Sequence, residues 1–493
     1  MVITVSYIVL FFYSIAILLI FFYGLAQLNL LINYIKSKKI LKSYEKFDFN
    51  NTSEIPYVTI QLPIYNEKYV IERLLLQIAK LDYPINKLEI QVLDDSTDDS
   101  IIETLKLVNQ IAKTGINIQH STRTNRNGFK AGALKEGLKT AKGEFIAIFD
   151  ADFLPDSDWL LKTVPYFKNE KVGVVQTRWG HLNRNHSLLT KIQAFALDAH
   201  FTLEQVGRNF KSHFINFNGT AGIWRKTCII DAGNWESDTL TEDLDLSYRA
   251  QLKKWQFIYL EDVITPAELP AILSAARTQQ FRWNKGGAEN FSKMKNRVIA
   301  SKTISTKTKI HGLLHLLNSS MFLCIFIMAV LSVPALFIKN YYSHISVYFD
   351  VMVFFIVTSI IFFICYWNTY KSIRGGGFKN FINYIGLFFT FYSIAMGFSF
   401  QNSIAVLEGL LGKKSDFIRT PKFNIEVLKD KWKDNIYISK KISKYTLFEG
   451  LLMLYFLFGL YSGFKLNDYA LYPFHLMLFF GFSYVFFNSF KAT

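Results

Sequence analysis

Residues 1–35 contain no Asp, Glu, Lys or Arg, and neither do residues 310–338 or 351–370. A helix needs about 20 apolar residues to cross the hydrocarbon core of a bilayer, so each run is long enough to span one. Residues 55–300 carry the mixed composition of a water-soluble domain. Over all 493 residues, 51% are apolar and 19% charged. That mixture predicts a soluble domain joined to membrane helices rather than either alone.

Basic residues orient these segments. Lys36, Lys38, Lys39 and Lys42 follow the first run. A secretory signal peptide has its basic residues first and a shorter apolar core. Residues 1–35 are therefore expected to be an uncleaved anchor, with Lys36 onward in the cytoplasm. Another apolar stretch, 380–411, is broken only by Glu408. A basic stretch follows over 413–444, with Lys413, Lys414, Arg419, Lys422, Lys429, Lys431, Lys433, Lys440, Lys441 and Lys444. Two further apolar segments lie at roughly 445–464 and 469–490. With Lys371, Arg374 and Lys379 of the preceding loop and the 413–444 stretch both cytoplasmic, 380–411 cannot cross once. It is expected to be interfacial or re-entrant, which leaves about five crossings. The expected location is the inner or plasma membrane, multi-pass, with the soluble domain cytoplasmic. Residues 271–310 mix apolar groups with Lys285, Lys293, Lys295 and Arg297 and predict amphipathic helix on the membrane surface.

The net charge is +16. Its basic residues flank apolar segments instead of forming a soluble patch, so contact with a lipid bilayer is expected and nucleic acid is not. Cys228, Cys324 and Cys365 form no C-x-x-C pair and read as small buried hydrophobes, not as a disulfide or zinc framework.

In the soluble part, apolar runs at Val58–Leu62, Leu88–Leu93 and Phe145–Phe149 alternate with helical patterns at Val70–Leu81 and Ser100–Ala112. Strand and helix in this rhythm predict a mostly parallel α/β sheet. Ligands of such sheets bind at the carboxyl ends of the strands, where Asp94 and Asp150 stand.

Asp150-Ala151-Asp152 places two carboxylates in one turn, a pattern suited to Mg²⁺ or Mn²⁺ shared with phosphate oxygens. Asp94-Asp95-Ser96 reads either as a base-binding pair or as an Asx turn. Pro63-Ile64-Tyr65-Asn66-Glu67 is a loop whose Tyr65 ring can stack on a nucleobase. Gly128 and Gly132 bracket Lys130 just before a helix, which suits a diphosphate. Thr241-Glu242-Asp243 supplies a carboxylate able to deprotonate a hydroxyl; the same residues also suit a helix start capped by Thr241. Gln279-x-x-Arg282-Trp283 puts a bidentate cation and a flat ring on one helical turn, for a diphosphate and a sugar face.

Taken in order, these motifs resemble the processive, membrane-integrated branch of the family 2 glycosyltransferases. The stretches Thr241-Glu242-Asp243-Leu244-Asp245-Leu246 to Trp255, and Glu268-Leu269-Pro270 to Gln279-Gln280-Phe281-Arg282-Trp283, are similar to the plant cellulose-synthase-like mannan and xyloglucan-backbone synthases. The resemblance covers roughly residues 50–445. It implies a GT-A fold, with the glycosyltransferase domain over 50–270 and interfacial helices bearing the Q-x-x-R-W motif over 271–310. Transmembrane and interfacial helices would occupy 311–411, a gating-loop region 412–444 and two further membrane helices 445–493. No cyclic-dinucleotide-binding module is expected after the last crossing. The implied roles are Asp243 with Glu242, Gln279, Arg282 and Trp283 in catalysis. Tyr65, Glu67, Asp94, Asp95, Lys130 and Asp150 would bind the nucleotide sugar, and Asp150 with Asp152 a metal, Mg²⁺ or Mn²⁺. The family's gating loop, F-x-V-T-x-K, corresponds to Phe417-Ile418-Arg419-Thr420-Pro421-Lys422, which adds Thr420 and Lys422 to the nucleotide site. Arg419 replaces the family's Val, and Pro421 stiffens the loop.

The expected reaction is inverting β-glycosyl transfer from a nucleotide sugar, with UDP-glucose the first expectation and GDP-mannose open, onto a growing glycan that leaves through the membrane. A transferase acting on a lipid acceptor, like the ceramide glucosyltransferases, is the alternative.

Overall fold

The computed structural model describes residues 2–39, 54–425, 435–438 and 442–490. The basic residues Lys42, Lys429, Lys431, Lys433, Lys440 and Lys441 lie outside the described residues.

The soluble part is built on one sheet of seven strands: β1 (Val58–Ile64), β2 (Leu88–Asp94), β3 (Ile118–Thr122), β4 (Phe145–Ile148), β5 (Val172–His181), β6 (Gly222–Arg225) and β7 (Gln256–Ala267), in the order β3-β2-β1-β4-β6-β5-β7. Every neighbouring pair is parallel except those made by β6. The central strands are buried on both faces, which is why they read as continuous apolar runs. Along β4, Ile146 and Ile148 face one hydrophobic cluster with Leu93, Trp224 and Trp235, while Phe145 and Ala147 face another with Ile60, Val92 and Trp159. The helix expected at Ser100–Ala112 has those bounds, and the one expected at Val70–Leu81 is shorter, Ile71–Ile78. The parallel order aligns the ends of β1, β2 and β4, so Tyr65, Asp95 and Asp150 emerge along the same edge.

Four described helices are long and apolar enough to cross a membrane: Ile3–Ser37, Ser320–Tyr341, Ser346–Arg374 and Thr446–Lys465. The last apolar segment forms helix Tyr472–Ser489, shorter than those four. Residues 378–410 form a helix bent by 52° between Gly397 and Ser399. Small residues bring it close to Tyr472–Ser489: a Cβ at Gly481 would lie 1.8 Å from the Ser393 carbonyl oxygen, and one at Gly397 2.3 Å from that of Gly481.

Helix Leu273–Ala300 is more enclosed than a one-sided surface helix. Lys285 and Asn290 are fully buried, and Arg277 donates to the buried Glu449 of helix Thr446–Lys465. The α/β domain lies on one side of it and the bent helix on the other: Asn290 donates to Thr241, and Asn402 donates to Gln280 at 2.9 Å.

Candidate active site

Tyr65, Glu67, Asp95, Lys130, Asp150, Asp152, Glu242, Asp243, Gln279, Arg282, Trp283, Thr420 and Lys422 line one cleft at the carboxyl ends of the strands. Asp94 does not. Its Oδ1 accepts from the Ser96 backbone N–H at 2.8 Å and its Oδ2 lies 2.9 Å from His120 Nε2, so it closes an Asx turn behind the cleft. Of the adjacent pair, Asp95 alone faces the ligand space.

Two carboxylates and two ammonium groups form the centre of the cleft. Lys130, on the first turn of helix Phe129–Thr140, sits 2.5 Å from Asp150 Oδ1 and donates to the Gly219 carbonyl at 2.9 Å. Burial alone would push its ammonium pKa down, but Asp150 and Glu242 carry it up. Asp152 is buried. Its Oδ2 pairs with Lys422 at 2.6 Å, and its Oδ1 is buried with no hydrogen-bond partner among the described residues. A buried acceptor left unsatisfied costs roughly 1–3 kcal/mol. Hard carboxylate oxygens, one of them orphaned beside the half-exposed Asp150, are the donor set that a hard divalent cation takes.

At the Tyr65 end, the Arg126 guanidinium lies 3.3 Å from the ring centroid. Arg123 grips both oxygens of Asp95, with Nε at 2.9 Å from Oδ1. Glu67 meets Arg419 at 3.1 Å, and Arg419 also donates to the backbone carbonyls of Tyr65 and Asn66. Burial raises the Glu67 carboxyl to about 8, and Arg419 only partly offsets it. Arg419, the departure from the gating-loop pattern, thus ties the loop to the cleft. Phe417 stacks on Phe129 with centroids 5.7 Å apart and lies under the Arg282 guanidinium at 4.4 Å, and Thr420 accepts from Arg282 Nη2 at 2.9 Å. Residues 417–422 therefore lie directly across the mouth of the cleft.

Glu242 and Asp243 open helix Glu242–Leu252. Thr241 occupies the N-cap position without capping; its Oγ1 accepts from Asn290 at 2.9 Å instead. Burial and the neighbouring Glu242 raise Asp243 to about 7, and burial also raises Glu242. Loss of water around Arg282 lowers its guanidinium to about 10, and its Nε is buried without a partner among the described residues. The site thus holds a carboxylate poised near neutrality beside a cation with spare donors, which suits proton abstraction next to a departing anion.

Residues 56–286 match the family model described as glycosyltransferase like family 2. This is a family 2 glycosyltransferase domain. Among curated proteins, the chain is 45% identical over 261 residues to the probable glucomannan 4-beta-mannosyltransferase 4 of Oryza sativa subsp. japonica, covering 52% of this chain and 48% of the relative. It is 40% identical over 290 residues to the glucomannan 4-beta-mannosyltransferase 1 of Cyamopsis tetragonoloba, covering 57% and 55%. The chain spans about half the length of these relatives. A solved mannosyltransferase from Pyrobaculum calidifontis, in complex with GDP-Man and Mn²⁺, has a similar fold, with a TM-score of 0.52 and 19% identity over 82% of this chain and 100% of that one. The GT-A expectation holds.

From the glycosyltransferase domain a cavity of about 980 Å³ continues into the helices. It begins at Asp243, Gln279 and Trp283, which line both spaces. Its wall carries polar groups in contact: Asn218 with His200 at 3.1 Å, Gln27 donating to Glu204 at 2.8 Å, and Tyr23 donating to Asn318 at 2.7 Å. A π-helical turn at His200–Glu204 brings two of these to the cavity.

Arg123 and Arg126 were not legible as site residues. They follow β3, whose residues are mostly exposed, so no apolar run marks the strand whose end they occupy.

Proposed function

We propose that this chain is a membrane-embedded, inverting β-mannosyltransferase that elongates a mannan-type glycan from GDP-mannose. UDP-glucose, the donor first expected, gives way because the named relatives are glucomannan mannosyltransferases and the structure of similar fold holds GDP-Man. Lys130 and Arg282 would hold the donor diphosphate, closed in by residues 417–422, with Tyr65 and Asp95 at the base. Asp150 and Asp152 would hold Mg²⁺ or Mn²⁺, which when bound neutralises charge on the leaving diphosphate. Trp283 would support the acceptor sugar's apolar face. Asp243 takes the proton of the acceptor hydroxyl as its oxygen attacks the anomeric carbon. The bond from that carbon to the diphosphate breaks on the opposite face, so an α-linked donor yields a β linkage.

The observation that carries elongation, rather than a single transfer to lipid, is the cavity leading from Asp243 and Trp283 to Lys339 and Asp468. Lys339 stands 19 residues beyond the first residue of helix Ser320–Tyr341, about 30 Å along it at 1.5 Å per residue. A passage of that length, mostly apolar and aromatic along its wall with polar groups at both ends, suits a glycan whose sugar faces slide over rings as it grows.

The same reading sets helix 378–410 along the inner face of a cell membrane, beneath a cytoplasmic catalytic domain. Its first half touches the domain where Phe195 meets Tyr384 and Phe391, and its end packs Gly409 on Lys285. Glu408 at that end pairs with Lys413, ahead of the loop across the cleft.

The test is purified protein in lipid vesicles with Mn²⁺, offered labelled GDP-mannose or UDP-glucose separately. Polymer from GDP-mannose that β-mannanase degrades is the expected product. A single mannose on lipid would overturn elongation, and polymer from UDP-glucose alone would overturn the donor.

A further inference from the structure

Helix Leu273–Ala300 carries Gln279, Arg282 and Trp283 at the cleft. Further along it stand Gly286, Glu289, Asn290 and Lys293, at intervals of three, one and three. That spacing puts them on a single face, and every one of them meets the segment that delivers Glu242 and Asp243. A Cβ at Gly286 would lie 2.5 Å from Thr241 Oγ1, so only glycine permits this approach. Glu289 accepts from the Leu240 backbone N–H at 2.8 Å. Asn290, fully buried, donates to Thr241 Oγ1 at 2.9 Å and to its carbonyl at 3.1 Å. The Lys293 ammonium reaches Asp245 at 2.8 Å, Glu236 at 2.7 Å and Asp238 at 2.8 Å. Asp245 is fully buried and takes Arg249 on its other oxygen at 2.7 and 2.9 Å.

We propose that Glu289, Asn290 and Lys293 are positioning residues that fix the segment bearing Asp243 in register with Arg282 and Trp283. Base, diphosphate cation and acceptor platform are then set by a single rigid helix. Lys293 is the firmest tie, because Asp245 lies two residues from Asp243 and is a buried carboxylate whose charge needs both cations. Misplacing a reacting group by about 1 Å costs on the order of 100-fold in rate. The inference rests on Asp243 being the base, so Asp243→Asn is measured beside it.

The experiment uses the full chain in vesicles and reads GDP-mannose transfer, GDP affinity and thermal unfolding. Lys293→Met is expected to lower kcat on the order of 100-fold with GDP affinity unchanged, and Lys293→Arg to recover much of it. The double variant Lys293→Met/Asp245→Asn removes the unpaired charge, keeping the test open where the single variant fails to fold; its kcat should stay low. Wild-type kcat in Lys293→Met or in the double variant overturns the proposal. So does a loss of GDP affinity in step with kcat, which marks a general structural role. An active Asp243→Asn would instead remove the base assignment, and a wild type inert on GDP-mannose the donor reading.

Discussion

Lys422 and Asp152 lie 270 residues apart in sequence and 2.6 Å apart in space. The ammonium covers one oxygen of the carboxylate and leaves the other without a partner among the described residues. If Asp152 holds the divalent ion, Asp152→Asn should remove the response of transfer to Mn²⁺. A titration with the wild-type midpoint would take Asp152 out of the metal set. Lys422→Met should raise the donor KM about 10-fold or more, the worth of a hydrogen bond to a charged group, with Mn²⁺ binding no weaker. Steady-state kinetics at varied metal and donor checks both.

Asp243→Asn should lower kcat by about 10²–10⁴, the usual contribution of a positioned base, and leave GDP binding near wild type. The pH profile adds an independent check. Burial and Glu242 favour the protonated form of Asp243, raising it to about 7 from an ordinary carboxylate value near 4. The base acts ionised, so kcat/KM should fall about tenfold per pH unit below about 7 and level off above it. A limb falling only below pH 5 would assign the base role to a less shielded carboxylate.

The parts of the fold legible in the sequence are those with a strong period or an uninterrupted run. β1, β2 and β4 are buried on both faces, so their apolar runs were visible, the second and third ending at Asp94 and Asp150; β1 runs two residues beyond Leu62 and takes in Pro63 and Ile64 of the expected loop. The charge pattern around Lys371, Glu408 and Lys413 reads residues 380–411 as interfacial or re-entrant; the helix there is bent by 52°, the geometry of a broken span as well as of a re-entrant loop. Sidedness within a motif was not legible. Asp94 and Asp95 are chemically alike, and only His120 and Arg123, on and just after β3, decide which one turns inward. The motif at residues 417–422 was legible, yet the reach of Arg419 to Glu67 depends on contacts more than 350 residues distant in sequence. Thr241 fits the cap pattern, but Asn290 takes its hydroxyl, a competition that local spacing does not record.

Gly481 sets how closely two helices approach. An added Cβ would meet the Ser393 backbone oxygen at 1.8 Å, and backbone cannot rotate away as a flexible side chain would. Gly481→Val should therefore force the two helices apart and destabilise the protein by about 1–3 kcal/mol or more, as overpacking does. Thermal unfolding in detergent would read this as a lowered midpoint. The contrasting substitution is Gly386→Ala on the bent helix, where nothing lies within 4 Å of the added carbon; there the midpoint should hold. Equal loss in the two variants would argue against the close crossing.

Both ends of helix 378–410 should label from the side of the catalytic domain. Phe378 and Leu411 mark its two ends and are 81% and 82% exposed, so a cysteine at either is open to a reagent that reaches its side of the membrane. The native cysteines, Cys228, Cys324 and Cys365, are buried and give a low background. In sealed vesicles with the domain outward, Phe378→Cys and Leu411→Cys should both react with an impermeant maleimide before the bilayer is opened. The physical reason is the contact set: Tyr384 and Phe391 lie against Phe195 of the domain, Asn402 donates to Gln280, and Gly409 rests on Lys285. A helix tied in its first half to Phe195 of the domain and at its end to helix Leu273–Ala300 is expected to keep both ends on one side. Protection of one cysteine until detergent is added would make this helix a true crossing. The end at Leu411 is held on the cleft side by the contacts of Arg419 with Tyr65 and Glu67 and of Lys422 with Asp152, so such a crossing would carry Phe378, with Lys371, Arg374 and Lys379, to the far side.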